Sequence, residues 1–156
     1  MKHLKHLLLA FALAFAALGA RAQSLTDYAE NKIVDALLRG QSLGAPATWY
    51  VGLMTASCSD SSAGTEVTQA TSGYTRVAST FVTAGVTTAG RTVNSSAISF
   101  ATVAGGATIT VVGWGIIDTA TFGSGNLLYW ATVTDTSLNV GDQATFPAGN
   151  LVVTED

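Results

Sequence analysis

The chain has 156 residues, with seven Lys and Arg against ten Asp and Glu, two His and one Cys, and that length fits a single domain. A net charge of −3 argues against a surface built to neutralise nucleic-acid phosphates. One cysteine cannot form a thiolate zinc site or an internal disulfide.

In chain order, residues 1–22 read first as a secretory leader. Lys2, His3, Lys5 and His6 make a basic start, Leu7 to Leu18 is an unbroken apolar run, and Ala20-Arg21-Ala22 puts small residues where a signal peptidase reads. The run falls short of the ~20 apolar residues that a membrane-spanning helix needs. Removal of this segment leaves one domain, residues 23–156, exported to the periplasm or the extracellular space and with no membrane attachment. Its basic residues are Lys32, Arg39, Arg76 and Arg91, and it contains no histidine. It therefore lacks the side chains for a Ser-His-Asp triad, a Cys-His pair or a histidine zinc site. The expected protein is not an enzyme and carries no cofactor.

Leu25 to Arg39 is the predicted helix. Ser24 with Asp27 three residues on fits a capping box. Leu25, Ala29, Ile33, Ala36 and Leu37 share a face at helical spacing, Arg39 suits the negative end of the helix dipole, and Gly40 suits a left-handed cap. A connector with Pro46 leads into a strand over Thr48 to Met54, with Trp49, Val51 and Leu53 on one face and Tyr50 and Met54 on the other. Thr55 to Gly73 reads as a polar surface loop with a short strand near Glu66 to Thr68, and Cys58 within it as a thiol close to solvent. Tyr74 to Val82 and Ala97 to Ala101 are predicted strands, separated by loop and edge. Asn94-Ser95-Ser96 is a formal glycosylation acceptor, relevant only in a eukaryotic secretory pathway.

The last third is the most apolar. Ala107 to Asp118 and Asn126 to Thr134 are predicted long strands, joined through Gly123-Ser124-Gly125. Shorter strands follow at Ser137 to Val140, Gln143 to Phe146 and Leu151 to Thr154. The fold expected is mainly β, an antiparallel β-sandwich of jelly-roll or Ig-like type, with one N-terminal α-helix after the signal peptide. Strict alternation puts Ile109, Val111 and Ile117 on one face of the first long strand and Val112, Trp114 and Ile116 on the other. In the second, Leu127, Tyr129, Ala131 and Val133 oppose Leu128 and Trp130. A sheet apolar on both faces needs two covers. The second is either the helix or a neighbouring subunit, which makes Val112, Trp114, Ile116, Leu128 and Trp130 the candidate subunit interface.

Chemistry has few other candidates. The acidic pairs Asp60 with Glu66, Asp135 with Asp142, and Glu155 with Asp156 lie in predicted turns or at the terminus, where solvated carboxylates are ordinary. No loop has the acidic spacing of an EF-hand. The glycines of Gly113-Trp114-Gly115 and Gly105-Gly106 do not lead a strand into a helix, so they are not phosphate loops.

Several segments taken together do point to a family. They run from Ser24-Leu25-Thr26-Asp27-Tyr28-Ala29-Glu30-Asn31-Lys32 into Ala47-Thr48-Trp49-Tyr50-Val51-Gly52-Leu53. Gly64-Thr65-Glu66-Val67 and Gly73-Tyr74-Thr75-Arg76-Val77 follow. Trp114-Gly115-Ile116-Ile117-Asp118, Gly125-Asn126-Leu127-Leu128-Tyr129, Gly141-Asp142 and Leu151-Val152-Val153-Thr154 complete the pattern. The chain from Ser24 onward resembles small tailed-phage virion proteins described as tail-fibre-like. The resemblance implies a β-rich structural protein that assembles with itself, as a homo-oligomer, or with other virion or surface-fibre proteins, and it implies a virion location. The leader departs from this pattern, since tailed-phage virion proteins assemble in the host cytoplasm. A second reading is an exported monomeric module for a glycan or cell-surface ligand, with Trp49, Tyr50, Tyr74 or Phe122 as an aromatic platform.

Overall fold

The computed structural model describes residues 12–14 and 24–155. The rest of the predicted leader lies outside the described residues. Strand β1 (Ala12–Ala14) runs parallel to Gln143–Thr145. The remaining elements are β2 (Ser24–Leu25), α1 (Asp27–Arg39), β3 (Trp49–Ala56), β4 (Thr65–Glu66), α2 (Gln69–Ser72), β5 (Val77–Ser79), β6 (Arg91–Val93), β7 (Ile98–Ser99), β8 (Ile109–Ile117), β9 (Leu127–Leu138), β10 (Gln143–Phe146) and β11 (Val152–Thr154). The molecule is mainly β with antiparallel sheets and a helix near the N-terminus, as expected from the sequence. Its main sheet has the order β2-β9-β8-β3-β4, with β5 also on β3. The pair β6-β11 and the small sheet β1-β10-β7 supply opposing apolar residues. Between the layers lie Val51, Leu53, Trp114, Ile116 and Ala131 from the main sheet, and Ile98, Phe100, Phe146 and Val153 from the other side. Phe100 stacks on Tyr74 at 5.9 Å and meets Phe146 edge-on at 6.3 Å, both favoured aromatic geometries.

The helix starts two residues later than the pattern suggested. Ser24 and Leu25 are taken up by pairing with Trp130 and Tyr129. Thr26 is the cap instead: its hydroxyl accepts from Ala29 N at 3.4 Å and donates to Leu127 O at 2.5 Å. Two backbone bonds, Thr26 N to Leu128 O and Asp27 N to Asp60 O, fasten this end to the sheet and to the loop after β3. Gly40 closes the other end in the left-handed conformation, φ 64°.

Strict alternation fails in the two long strands, for a local reason. The β8–β9 register shifts between Val111 and Gly113 and again between Ile116 and Ile117. An irregular residue resets which side later residues face. Val111, Trp114 and Ile116 therefore all enter the main core. Leu127 crosses to join Met54, Cys58 and Ile117 in a second cluster, against which Trp130 packs. Leu128 is left beside Tyr129, not beside Trp130.

This second cluster corrects the picture of Thr55 to Gly73 as a surface loop. Cys58 is buried, with its thiol donating to Ala63 O, and Val67 is in the main core. The segment lies over the second face because that face is flat there. A Cβ on Gly115 would collide with the Leu127 and Met54 side chains, and one on Gly113 would meet Ala131 O at 2.7 Å. The glycines of Gly113-Trp114-Gly115 are thus for close packing.

The free edge of β3 is divided. Val51 pairs with β5, Met54 with β4, and Leu53 falls between them. Its backbone groups are not left unpaired: Leu53 O accepts from Val67 N, and Leu53 N donates to the Tyr74 hydroxyl at 2.9 Å. That hydroxyl donates to Glu66 Oε1 at 2.7 Å, and Arg76 holds the same carboxylate with Nε at 2.9 Å and Nη2 at 2.8 Å. The remaining guanidinium nitrogen of Arg76 bonds Thr119 O and Ser124 O, fixing the β8–β9 hairpin loop. Both charged side chains are nearly enclosed. Replacing Arg76 with Leu should lower stability by about 3–5 kcal/mol, since a buried charge then loses its partner. Replacing Glu66 and Arg76 together with Leu should cost less than Arg76→Leu alone. Urea unfolding of both variants checks this, and a double variant no more stable than the single one would contradict it.

Candidate assembly surface

The residues singled out as an interface are divided by the structure. Trp114 and Ile116 are 2% and 4% exposed, enclosed by the chain itself. Val112, Leu128 and Trp130 are half-buried. Trp130 lies on the second cluster with its indole N–H enclosed and without an acceptor among the described residues. The aromatic residues proposed as a sugar platform are not brought together. Tyr74 is buried with its hydroxyl engaged by Leu53 and Glu66. Burial above all, then the Glu66 charge, raises its pKa. Trp49 packs on the main core, and Tyr50 faces the opposite side of β3. Phe122 is exposed in the hairpin loop between β8 and β9.

One member of each of two acidic pairs, Glu66 and Asp142, is spent on structure, as is Asp118 outside them. Glu66 is held by Arg76, Asp142 accepts from Asn139 N and Nδ2, and Asp118 holds Asn126 through both oxygens. Among the described residues no three His, Cys, Asp or Glu side chains converge, and no helix is long and apolar enough to cross a membrane. Asn94, the formal glycan acceptor, is buried. Its amide donates to Ser96 O and Pro147 O and accepts from Leu151 N, so the folded chain does not offer it to a transferase.

The large apolar side chains that reach solvent are concentrated at α1. Of the large apolar side chains left exposed, Tyr28, Val34, Leu37, Leu38 and Leu43 belong to α1 and the connector after it, while Val82, Val86, Phe122 and Val140 are scattered. In α1 only Ala29 is buried; Ile33 and Ala36 are half-covered. Val34, Leu37 and Leu38 are 52%, 78% and 81% exposed. Their i, i+3, i+4 spacing makes a second apolar stripe on the side away from the sheet. Leu37, which the helical spacing assigns to the inner face, lies instead on this outer one with Val34 and Leu38. The signal was in the sequence: Ile33-Val34 and Ala36-Leu37-Leu38 leave this half of the helix apolar nearly all round, a pattern that calls for cover on both sides.

Beside this helix the surface is hollow. A recess of about 230 Å³ lies between α1, the connector and the sheet, lined by Tyr28, Ile33, Leu43, Trp49 and Leu128 among others. A larger one of about 500 Å³ adjoins it across Trp49, Leu128 and Tyr129, and is walled further by Ala47, Phe81 and Ile116. Three of the four Ser and Thr hydroxyls on its wall are already bonded, Ser79 to Val77 O, Thr92 to Val82 O, and Thr80 to Ser95; the fourth belongs to Thr48. Burial first, and then the hydrogen-bonded carboxylate of Glu155, push the Tyr129 hydroxyl up to about 12.

The model of the family described as Podophage GP4 fiber I protein gp80 matches residues 24–154. The chain belongs to that family. No curated protein matches. The match spans α1, the divided β3 edge and the final strand, the segments on which the resemblance to phage fibre proteins rested. Membership in a phage fibre family supports a structural role in the virion, in association with other virion proteins.

Cys58 gives a check on this view of the surface. The sequence placed its thiol near solvent; the structure buries it beneath the loop, and desolvation pushes it from 9.0 up to about 11. A thiol raised in this way is protonated and shielded at neutral pH, so it is a poor nucleophile. The same shift means that its contribution to stability falls as pH climbs from 9.0 through about 11. The folded protein at pH 8 should react with a thiol-specific disulfide reagent at least tenfold more slowly than the urea-unfolded chain. Equal rates would show that the loop does not seal the second face.

Proposed function

We propose that this chain is a non-enzymatic structural subunit of a phage fibre that associates with copies of itself through apolar surface outside its own core. The observation that carries the reading is the outward stripe Val34, Leu37 and Leu38 on α1. Covering one exposed Leu side chain is worth about 1.5–3 kcal/mol, and contiguous exposed apolar patches mark interaction sites. Family membership supports the same reading, because a fibre is a built structure. Leu128, from the interface expected on sequence grounds, adjoins the helix and belongs to this surface, and Val112 and Trp130 keep part of their area available.

Light scattering on the purified protein should give a mass above one chain that rises with concentration. Leu37→Ser with Leu38→Ser should return it to a single chain without loss of thermal stability, because neither side chain supports the core. A wild-type protein that stays at the mass of one chain at high concentration would overturn the proposal.

A further inference from the structure

The stripe on α1 and the recess beside it are opposite in shape and alike in chemistry, and neither is filled by the described residues. Resting on the self-assembly reading above, we propose that Leu37 and Leu38 of one copy seat in the larger recess of another, against Trp49, Phe81, Leu128 and Tyr129. The volume of the recess, about 500 Å³, is in the ~300–1,000 Å³ range of binding pockets. It suits an aliphatic occupant and not a sugar. Of its wall Ser and Thr hydroxyls only that of Thr48 is not already bonded within the described residues, so the wall gives a polyhydroxyl ligand little to pair with. Charge agrees with the docking. Arg39 directly follows Leu38 and is largely exposed; its Nη1 holds Asp35 at 3.0 Å in a surface pair of the kind that is worth little and exchanges readily. Exposed Glu155 bonds Tyr129, which lines the recess, and so puts a carboxylate near it. An arriving Leu38 therefore brings a cation towards an anion. The contact joins two different patches, knob to hollow, so it can be repeated from copy to copy, as growth of an assembly requires.

The test uses one variant for each half. Leu37→Ser with Leu38→Ser removes the knob. Ala47→Trp fills the hollow from an exposed wall position, and Thr80→Trp, also exposed on the wall, serves the same end if the first variant folds poorly. Each variant alone should self-associate at least tenfold more weakly than wild type. An equimolar mixture should recover a species of two chains and nothing larger, because one intact knob meets one intact hollow. If the filled-recess variants assemble like wild type, or if the mixture stays at one chain, this docking is wrong while the structural-subunit reading stands. If wild type itself never associates, the earlier proposal fails and this one with it.

Discussion

The Glu66 carboxylate holds together the part of the molecule on which the rest of the architecture depends. The β3 edge is shared between two short strands that leave Leu53 without a ladder partner on that side, and the Tyr74 hydroxyl takes the vacant place. Glu66 fixes that hydroxyl and is fixed in turn by two nitrogens of Arg76, which also anchors the β8–β9 hairpin loop. One charge pair thereby ties the sheet edge, the segment after β3 and the far hairpin into one unit. A pair so enclosed does not of itself add much stability over an apolar replacement. Its effect is on geometry: it specifies where the loop segment lies.

With that segment in place, the second face of the sheet is closed from within. Met54, Cys58, Ile117 and Leu127 make a small second core there, over a surface flattened by glycine. The two apolar faces therefore need no neighbouring subunit for their cover, and Trp114 is spent inside the chain. The apolar surface left exposed is mostly that of α1 and the connector after it. The first turn of α1 is fastened by the Thr26 cap and by bonds to Leu128 and Asp60, while its second half presents leucines to solvent beside an apolar hollow. An element held at one end and apolar on the other fits a fibre subunit better than a self-sufficient globule.

Much of this could be read from the residues. The helix, its Gly40 cap, β3 with its two faces, and the two long strands all follow from local pattern and turn chemistry, which operate over a few residues. The failures came where distant residues decide. Ser24 looked like a cap until pairing with Trp130 claimed it. The faces of β8 and β9 were misassigned past Val111 and at Leu127 because a register shift depends on the partner strand, and alternation along one strand cannot reveal it. The Glu66–Arg76 pair is not legible because Glu66 reads beside Asp60 as a solvated carboxylate, whereas its partner lies ten residues on and across the sheet edge. Cys58 looked exposed because polar neighbours suggested solvent, whereas the loop folds back over apolar side chains. The outward stripe of α1 is legible in the sequence, because Val34, Leu37 and Leu38 fall outside the inner face yet are apolar.

The most direct test of the account compares backbone hydrogen exchange in the assembled protein with that in a dissociated form of the same chain. The account predicts added protection on assembly in the second half of α1, Ile33 to Arg39, and around the recess at Thr80 to Phe81 and Leu128 to Tyr129. The centres of β3 and β8, covered within one chain, should be equally slow in both states. Unchanged exchange across Ile33 to Arg39, with new protection confined to β3 and β8, would contradict it.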